Sequence, residues 1–301
     1  PGRAVVLGGG VIGVEFASMW ADLGVEVTLV EAAERLLPNE EPALTRVLTR
    51  ALGARGVDVR VGAPLTEAVA TDDGVRVVVD GDELTADVLL VAVGRRPNTV
   101  GIGLETAGVA LEGPSIAVDD QLRTSAPHIF AAGDVVAGPQ LAHRGYAHGM
   151  FVAELVAWEQ GRSRRLPRLP DDGTIPRVTY SSPQVASVGL TEAEAGPDAQ
   201  SFTYHMAGNG KSLIARPVGV RETGLVKVVR HAAGPIVGVH AVGEDVAELI
   251  TTAATHVGWA AEPDDLTSVI HPHPSVSEGL SEAILALGGR PLHAVTTTDI
   301  G

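Results

Sequence analysis

The chain has 301 residues, of which 45% are hydrophobic and 20% are charged. This composition is typical of a globular protein, and the length is enough for two or three domains. Acidic residues outnumber basic residues by 37 to 22, and the formal net charge of −15 argues against nonspecific binding to nucleic acid or to an anionic membrane. No apolar run approaches the roughly 18 residues of a membrane span. The sequence contains no cysteine, which excludes disulfides and thiolate sites within the chain.

The N-terminal stretch predicts a dinucleotide site. The predicted elements are a strand at 3–7, a helix at 14–23 and a second strand at 25–30. Gly8, Gly10 and Gly13 fit the pattern G-x-G-x-x-G, in which the glycines permit a tight turn, the approach of a pyrophosphate and close packing of helix on strand. Glu31 lies 18 residues after Gly13, where a carboxylate can accept both ribose hydroxyls and would repel a 2′-phosphate. The pattern therefore favours NAD over NADP.

The rest of a nucleotide-binding domain follows, so that this domain is predicted to cover residues 1–112. Its further predicted elements are a helix at 42–55, a strand at 57–61, a hairpin at 74–83 with a Gly81-Asp82 turn, and a strand at 87–93. The last strand, DVLLVAV, is a nearly continuous apolar run, which is typical of a strand buried on both faces of a parallel sheet. It ends in GRRPN at 94–98, a turn where the backbone can approach a cofactor a second time.

Two further domains are predicted, a central segment at 113–170 and a C-terminal domain at 171–301. The elements predicted in the central segment are strands at 116–119 and 129–132, a helix at 141–159 and a basic linker at 161–170. Those predicted in the C-terminal domain are strands at 177–181, 184–188, 201–206, 224–229 and 236–242, and helices from Thr191, at 244–257 and at 276–287. Thr191 and Glu194 fit a capping box, and strands followed by packed helices indicate an α+β unit.

The C-terminal stretch IHPHPSVSE contains the residues best suited to acid–base chemistry. Glu278 lies five residues after His273, and a turn between them could bring its carboxylate to the imidazole. Such a carboxylate selects a tautomer and raises the basicity of the opposite nitrogen, as a general base requires. Spacing alone favours a surface turn with two unrelated histidines over this arrangement. A metal site on His271 and His273 is weaker still, because no further ligand lies at a suitable spacing, and none is predicted.

A series of motifs in one order covers essentially the whole chain. They are GGGVIGVEFASMWADLGVEVTLVE, RLLP, VAVGRRPN, TSAPHIFAAGDV, LAH, IPRVTYSSPQVASVGLTEAEA, NGKS and HPHPSVSE. This order resembles the pyridine nucleotide–disulfide oxidoreductases, and within that family the dihydrolipoamide dehydrogenases most. The resemblance implies an α/β fold with a Rossmann-like NAD-binding domain, the central segment of an FAD domain and a C-terminal α+β interface domain. The implied cofactors are NAD and, in the complete enzyme, FAD.

The resemblance also implies roles for individual residues at the cofactors. Those that would hold the NAD pyrophosphate are Gly8, Gly9, Gly10, Val11, Ile12 and Gly13. Those that would line the same cleft are Ala92, Val93, Gly94 and Arg95. Glu31 would bind the adenine ribose, and Glu15 matches a glutamate that pairs with a lysine beside the flavin, in a domain that this sequence lacks. Asp134 matches the aspartate that bonds the ribityl chain of FAD, although a Gly-Asp turn after a strand is common, and Ala142 would lie against the same cofactor.

For the reaction, the resemblance implies that His273 takes a proton from a dihydrolipoyl thiol while Glu278 orients the imidazole. The pair would act on the disulfide of the other subunit of a homodimer formed by the C-terminal domain. Electrons would pass from dithiol to disulfide, then to FAD, and as hydride to NAD. The implied partners are a second copy of the chain and a lipoyl-bearing protein of a 2-oxoacid dehydrogenase complex, in the cytoplasm.

Departures from the family pattern leave alternatives open. Because the sequence has no initiator Met and no cysteine, we expect the C-terminal part of such an enzyme, without its N-terminal FAD domain and redox cysteines and inactive alone. Gln184 stands where the family usually has Glu, and Pro272 where Ala is usual. One alternative is a sister flavoenzyme, such as mercuric or mycothione reductase, a quinone reductase or a transhydrogenase. The other is a non-catalytic module for NAD binding and dimerisation.

Overall fold

The computed structural model describes residues 1–216 and 223–294. The chain forms two compact units. One consists of Pro1–Gly94 together with Pro176–Gly301, and the other is Arg95–Ile175.

The first unit begins with a parallel sheet covered by helices. Its elements in chain order are β1 (Arg3–Leu7), α1 (Val11–Asp22), β2 (Glu26–Val30), α2 (Pro42–Ala54), β3 (Asp58–Arg60), β4 (Leu65–Thr71), β5 (Gly74–Val79), β6 (Asp82–Ala86) and β7 (Val88–Val91). The sheet has the order β3-β2-β1-β7, and all neighbouring strands run parallel. In α2, Pro42 takes a first-turn position, and the leucines Leu44, Leu48 and Leu52 are fully buried at helical spacing. The predicted strand–helix–strand unit is therefore present.

A small antiparallel sheet, in the order β4-β5-β6, packs on the parallel sheet through Val77 and Val79. The predicted hairpin exists, but the predicted Gly81-Asp82 turn was wrong by one residue. The turn is Asp80-Gly81, and both residues have positive φ, at 49° and 85°. Two positive φ values are those of the type I′ turn, whose twist matches that of the flanking strands.

The second unit contains the two-stranded ladder of β8 (Leu111–Glu112) and β9 (Ser115–Ile116) and the long helix α3 (Ala142–Glu159). The strand predicted at 129–132 was wrong, because Phe130 forms only an isolated bridge to Arg123. The bridge has its own two bonds, from the Ala131 N–H to the Leu122 carbonyl and from the Thr124 N–H to the Ile129 carbonyl. The Ile129 N–H donates to the Ala126 carbonyl in a turn, so the pairing does not extend into a strand. The strand predicted at 116–119 likewise shrinks to Ser115–Ile116.

The first unit resumes with a five-stranded antiparallel sheet. Its further elements are β10 (Arg177–Thr179), β11 (Gln184–Gly189), α4 (Glu192–Ala195), β12 (Ala199–His205), α5 (Gly210–Ala215), β13 (Leu225–His231), β14 (Ile236–Gly243), α6 (Val246–Gly258), α7 (Pro263–Leu266) and α8 (Glu278–Leu287). The strand order is β10-β11-β14-β13-β12. Helices α6 and α8 pack on the sheet through Ile250 and Leu280. The predicted capping box of Thr191 and Glu194 is formed, with both reciprocal hydrogen bonds present.

The parallel sheet and the five-stranded sheet of the first unit share a hydrophobic core. Leu44 and Leu48 of α2 belong to one buried cluster with Val185, Leu225 and Val242 of the five-stranded sheet. An α/β fold with a Rossmann-like sheet and an α+β part is therefore present, as predicted.

The predicted domain limits at 1–112, 113–170 and 171–301 stay a prediction, and parts of the last domain, 217–222 and 295–301, lie outside the described residues. Among the helices of the described ranges, none is long and apolar enough to span a membrane.

Candidate functional site

The glycine turn after β1 is built on backbone contacts that leave no room for side chains. A Cβ on Gly8 would lie 2.4 Å from the Ala92 carbonyl oxygen, and one on Gly13 would lie 1.8 Å from the Gly8 carbonyl oxygen. Gly8 also has φ +109°, a conformation that side-chain-bearing residues rarely adopt. The first strand, the turn and α1 therefore touch backbone to backbone.

Gly10 is different, because it faces open space. A Cβ added there would meet no atom within 4 Å. Gly10 is also the N-cap of α1, with extended backbone at φ −74° and no side chain to cap the helix. Val11 and Ile12, the first helical residues, are partly exposed. The free N–H groups and the positive end of a 12-residue helix thus meet an open backbone surface, which fits a pyrophosphate.

Glu31 follows β2 and lies beside this turn. Its Oε2 accepts the Gly9 N–H at 2.6 Å and its Oε1 accepts the Ala33 N–H at 2.7 Å. A carboxylate has about four acceptor positions, so each oxygen keeps capacity for a ribose hydroxyl. The residues fit the adenine ribose of NAD, and the glutamate also holds the glycine turn.

The other residues assigned to the NAD cleft divide between the two compact units. Ala92 lies against Gly8 and donates its N–H to the Leu7 carbonyl at 2.7 Å. Val93 is 69% exposed, and Gly94 has φ +124°. Arg95 is the first residue of the second unit.

Glu15, the residue predicted to pair with a lysine, has another contact within this chain. Its Oε1 accepts the Tyr180 N–H at 2.7 Å. Glu15 lies on α1 and Tyr180 directly follows β10, so the bond ties the nucleotide-binding helix to the five-stranded sheet.

Asp134 lies in a single 3-10 turn, Gly133–Val135, in the second unit. Its Oδ2 is 3.3 Å from the Arg95 guanidinium, which also donates to the Gln140 carbonyl at 2.5 Å. The Asp134 side chain is 47% exposed, and Ala142 begins α3 nearby in sequence. An accessible carboxylate fits a sugar-alcohol hydroxyl such as that of the ribityl chain, and the ion pair with Arg95 was not anticipated from sequence.

In the C-terminal stretch, the structure brings together the two residues that were singled out. The His273 Nδ1 is 2.8 Å from Glu278 Oε1, and Glu278 Oε2 accepts the Ser275 N–H at 2.8 Å. The His273 side chain is 80% exposed and that of Glu278 is 28% exposed. Partial burial of Glu278 opposes its ionisation. The hydrogen bonds from the Ser275 N–H and the His273 ring outweigh this effect and hold the pKa of Glu278 below its usual value.

The neighbouring histidines have a different environment. Burial lowers the pKa of His271, although the Glu278 charge partly opposes this. Burial also lowers the pKa of His256, and His271 adds to the effect. His271 and His256 therefore favour the neutral form, and His273 is the exposed ring that a carboxylate orients. In the described residues no group of three or more His, Asp or Glu side chains is arranged to hold a metal ion.

Comparison with known proteins identifies the family of this chain. Residues 1–149 match the family described as pyridine nucleotide-disulphide oxidoreductase, and residues 175–284 match the dimerisation domain of that family. The chain is 36% identical to a dihydrolipoyl dehydrogenase of Bacillus subtilis and 38% identical to one of Pseudomonas aeruginosa, in each case over 97% of its length. The chain belongs to the pyridine nucleotide-disulphide oxidoreductase family. The predicted resemblance to dihydrolipoamide dehydrogenases is thereby confirmed.

Solved structures of relatives agree with the family. The flavoprotein disulfide reductase RclA of Escherichia coli in its Cu(II) complex superposes with a TM-score of 0.84 at 30% identity, covering 95% of this chain and 64% of the relative. LpdA of Mycobacterium tuberculosis gives a TM-score of 0.82 at 29% identity, covering 95% of this chain and 62% of the relative. The pyridine nucleotide of the family name and the description of RclA as a flavoprotein agree with the predicted cofactors, NAD and FAD. The chain spans 62% of the length of the two curated relatives.

Two side-chain contacts of this chain were not apparent from sequence. Gln184, where a glutamate was expected, accepts the Ala247 N–H at 3.0 Å through its side-chain oxygen, in the first turn of α6. Asn209 donates from its side-chain nitrogen to the Ser275 carbonyl at 2.9 Å. The only signal for the second contact is the NGKS motif, in which an Asn precedes a helix as an N-cap does.

Proposed function

We propose that this chain supplies the NAD site and the acid–base pair of a flavin-dependent oxidoreductase that oxidises a dihydrolipoyl dithiol and reduces NAD. One observation carries the proposal: His273 Nδ1 lies 2.8 Å from Glu278 Oε1. A carboxylate at Nδ1 holds the proton on that nitrogen and leaves Nε2 as the basic atom. Because the ring is 80% exposed, a thiol of a second molecule can reach it.

The proton balance defines the task of this pair. Oxidation of a dithiol to a disulfide releases two electrons and two protons, and NAD takes up both electrons and one proton as a hydride. A base near pH 7 must accept a thiol proton before the sulfur becomes a nucleophile, because the thiolate is the reactive form. His273 Nε2 accepts that proton, and the Glu278 carboxylate stabilises the imidazolium that results.

The glycine turn performs the binding role at the other substrate. The open face of Gly10 and the start of α1 receive the pyrophosphate of NAD. Glu31 accepts ribose hydroxyls and repels the 2′-phosphate of NADP. The proposal therefore includes a preference for NAD.

The flavin, when bound, relays two electrons between sulfur and nicotinamide. Asp134 would accept a hydrogen bond from a hydroxyl of its ribityl chain, and Ala142, as the first residue of α3, would lie beside it. Since the sequence has no cysteine, the exchanging disulfide comes from residues outside this chain. The partners that we propose are a second copy, bound through the dimerisation domain at 175–284, and a lipoyl-bearing protein in the cytoplasm.

The test measures dihydrolipoamide-dependent reduction of NAD by the protein as its gene encodes it. Replacing His273→Gln is expected to lower kcat/KM by about a hundredfold or more, the scale of a lost general base. The matched control is His293→Gln. His293 is also exposed, and its Nδ1 lies 2.7 Å from Oε1 of Glu282, which belongs to α8 as Glu278 does. NADH-driven reduction of an outer-sphere one-electron acceptor needs no thiol proton and should stay unchanged in both variants. Equal losses in the two variants, or none, would refute the role of His273.

A second candidate is a flavoprotein disulfide reductase with another disulfide substrate. It is supported by the likeness to RclA, at a TM-score of 0.84, and by Gln184 in place of the usual glutamate. The same assay tests the substrates of the sister enzymes, which are mercuric ion, mycothiol disulfide, quinones and NADP as a hydride acceptor. Faster turnover with one of these than with lipoamide would favour this candidate.

The third candidate, a non-catalytic NAD-binding and dimerisation module, is supported by the absence of cysteine. It is distinguished by NAD binding and a dimeric mass in sedimentation without turnover of any disulfide or quinone.

A further inference from the structure

Asn209 uses both ends of its side-chain amide. Its Oδ1 accepts the Ser212 N–H at 2.9 Å and the Ser212 hydroxyl at 3.1 Å, which caps α5. Because a backbone N–H can only donate, this bond fixes the orientation of the amide and makes Nδ2 the donor on the other side. That donor reaches the Ser275 carbonyl at 2.9 Å, 66 residues away in sequence. Asn209 is only 4% exposed, so water does not replace this bond readily.

Ser275 is the residue through which this bond reaches the imidazole. Its carbonyl accepts from Asn209, and its N–H donates to Glu278 Oε2 at 2.8 Å. The other oxygen of that carboxylate holds His273 Nδ1 at 2.8 Å. Three hydrogen bonds, joined through the backbone of Ser275 and the carboxylate of Glu278, therefore connect the cap of α5 to the exposed ring.

We propose that Asn209 is a positioning residue for the His273–Glu278 pair. It fixes the Ser275 carbonyl, and thereby the direction in which the Ser275 N–H presents itself to Glu278. The inference rests on the proposed function, since the base needs one tautomer and one ring orientation, whereas Asn209 itself touches no reacting atom.

Packing gives independent support, because the segment that carries Asn209 is wedged against the first turn of α8. A Cβ on Gly279 would lie 2.4 Å from Met206 Sδ, so the Met206 side chain packs directly on the backbone of α8 and would have to shift if residue 279 carried a side chain. Met206 is 1% exposed, and its carbonyl accepts the Asn209 N–H at 2.9 Å. The segment therefore has a fixed position relative to Glu278, and the Asn209 amide can transmit that position to the loop.

The experiment measures the tautomer of His273 in this chain by the nitrogen chemical shifts of its imidazole, together with hydrogen exchange of the Ser275 amide. Asn209→Ser keeps a neutral N-cap for α5 but cannot reach Ser275. We expect the ratio of Nδ1-protonated to Nε2-protonated His273 to fall about fivefold, and exchange at Ser275 to rise by a similar factor, as for one net hydrogen bond. Ser212→Ala removes a partner of the same cap without touching Ser275 and should leave both readouts unchanged.

Glu278→Gln serves as the reference for complete loss of the orienting carboxylate. If Glu278→Gln shifts the tautomer and Asn209→Ser does not, the positioning role is refuted while the proposed function stands. If Glu278→Gln has no effect, the orienting pair fails, and the positioning role fails with it. Should Asn209→Ser not fold, Asn209→Asp is read in the same way, because it keeps the capping oxygen and replaces the donor by a charged carboxylate oxygen that cannot bind the Ser275 carbonyl. A loss of thermal stability with an unchanged tautomer in either variant would mark Asn209 as merely structural and overturn the proposal.

Discussion

Replacing Gly13 by alanine is expected to destabilise the first unit, because the new Cβ would lie 1.8 Å from the Gly8 carbonyl oxygen. Side-chain carbons essentially never approach other atoms within 3.0 Å, so strand and helix would have to separate by more than 1 Å. Both atoms in this contact are held by backbone, and no rotamer relieves the clash. Overpacking at the upper end costs about 3 kcal/mol, and replacing a helical glycine by alanine returns about 1 kcal/mol. The net loss in unfolding free energy is therefore about 2 kcal/mol.

Gly10→Ala is the matched variant in the same turn. Its Cβ would meet no atom within 4 Å, and φ −74° suits any residue. We expect its unfolding free energy to change by no more than about 0.5 kcal/mol, the scale of a less favourable N-cap. The methyl group would, however, occupy the surface that the pyrophosphate approaches. Affinity for NAD is therefore expected to fall at least about tenfold, or 1.4 kcal/mol.

Urea unfolding and titration calorimetry with NAD separate these effects. At an m-value of about 3 kcal/mol/M, Gly13→Ala lowers the urea midpoint by about 0.7 M, and Gly10→Ala leaves it nearly unchanged. If Gly10→Ala bound NAD as tightly as the unsubstituted protein, the assignment of the pyrophosphate site would be refuted. If Gly13→Ala unfolded at the same urea midpoint as the unsubstituted protein, backbone contact would not require glycine at this position.

Three further predictions concern single side chains. Glu31→Arg should weaken NAD binding and improve NADP binding in calorimetry, and an unchanged preference would contradict the ribose assignment. Burial lowers the pKa of His240, so below about pH 6.5 the unfolded chain binds a proton that the folded chain excludes. The unfolding free energy therefore decreases as the pH is lowered. His240→Asn should flatten that dependence in urea titrations between about pH 7 and pH 5, and an unaltered slope would contradict it. Lys227, 8% exposed and 2.7 Å from the 7% exposed Glu41, forms a buried pair, so Lys227→Met should cost about 3–5 kcal/mol in thermal or urea unfolding. The double variant with Glu41→Gln should recover most of this loss, and additive effects would contradict the pairing.

The parts of the fold that could be predicted from sequence are those decided by local pattern. The parallel strands at 3–7 and 25–30 and the capping box at Thr191 each depend on residues within one short stretch. By contrast, β4 was missed because it is exposed along nearly its whole length, so no buried alternation marks it. The strand predicted at 129–132 fails for another reason, since a strand needs a neighbour, and only an isolated bridge at Phe130 was available.

The candidate site divides in the same way. His273 and Glu278 are five residues apart, and a short turn joins them, but their spacing alone favoured two unrelated histidines, so the pair was predicted only through the family resemblance. The residues that hold the site in place are distant from it in sequence. The Tyr180 amide, which binds Glu15, is 165 residues away, and the Arg95–Asp134 pair spans 39 residues. No periodicity or motif encodes such contacts, because they depend on which elements the fold places side by side.

Substitutions far from a site residue are expected to affect Glu31 and His273 differently. A motif residue such as Glu31 is held by the Gly9 N–H of the glycine turn and by the Ala33 N–H two residues away, so its contacts lie close to the nucleotide-binding motif itself. The orientation of His273, in contrast, passes through Glu278 and Ser275 to Asn209, at 2.8 Å, 2.8 Å and 2.9 Å. Each step depends on the one before it, so loss of any bond in the series loosens the ring. Under the proposed function, variants that alter proton transfer at His273 are therefore expected at Asn209 and its cap of α5, outside the motif that identifies the base, as well as at Ser275 and Glu278 within it.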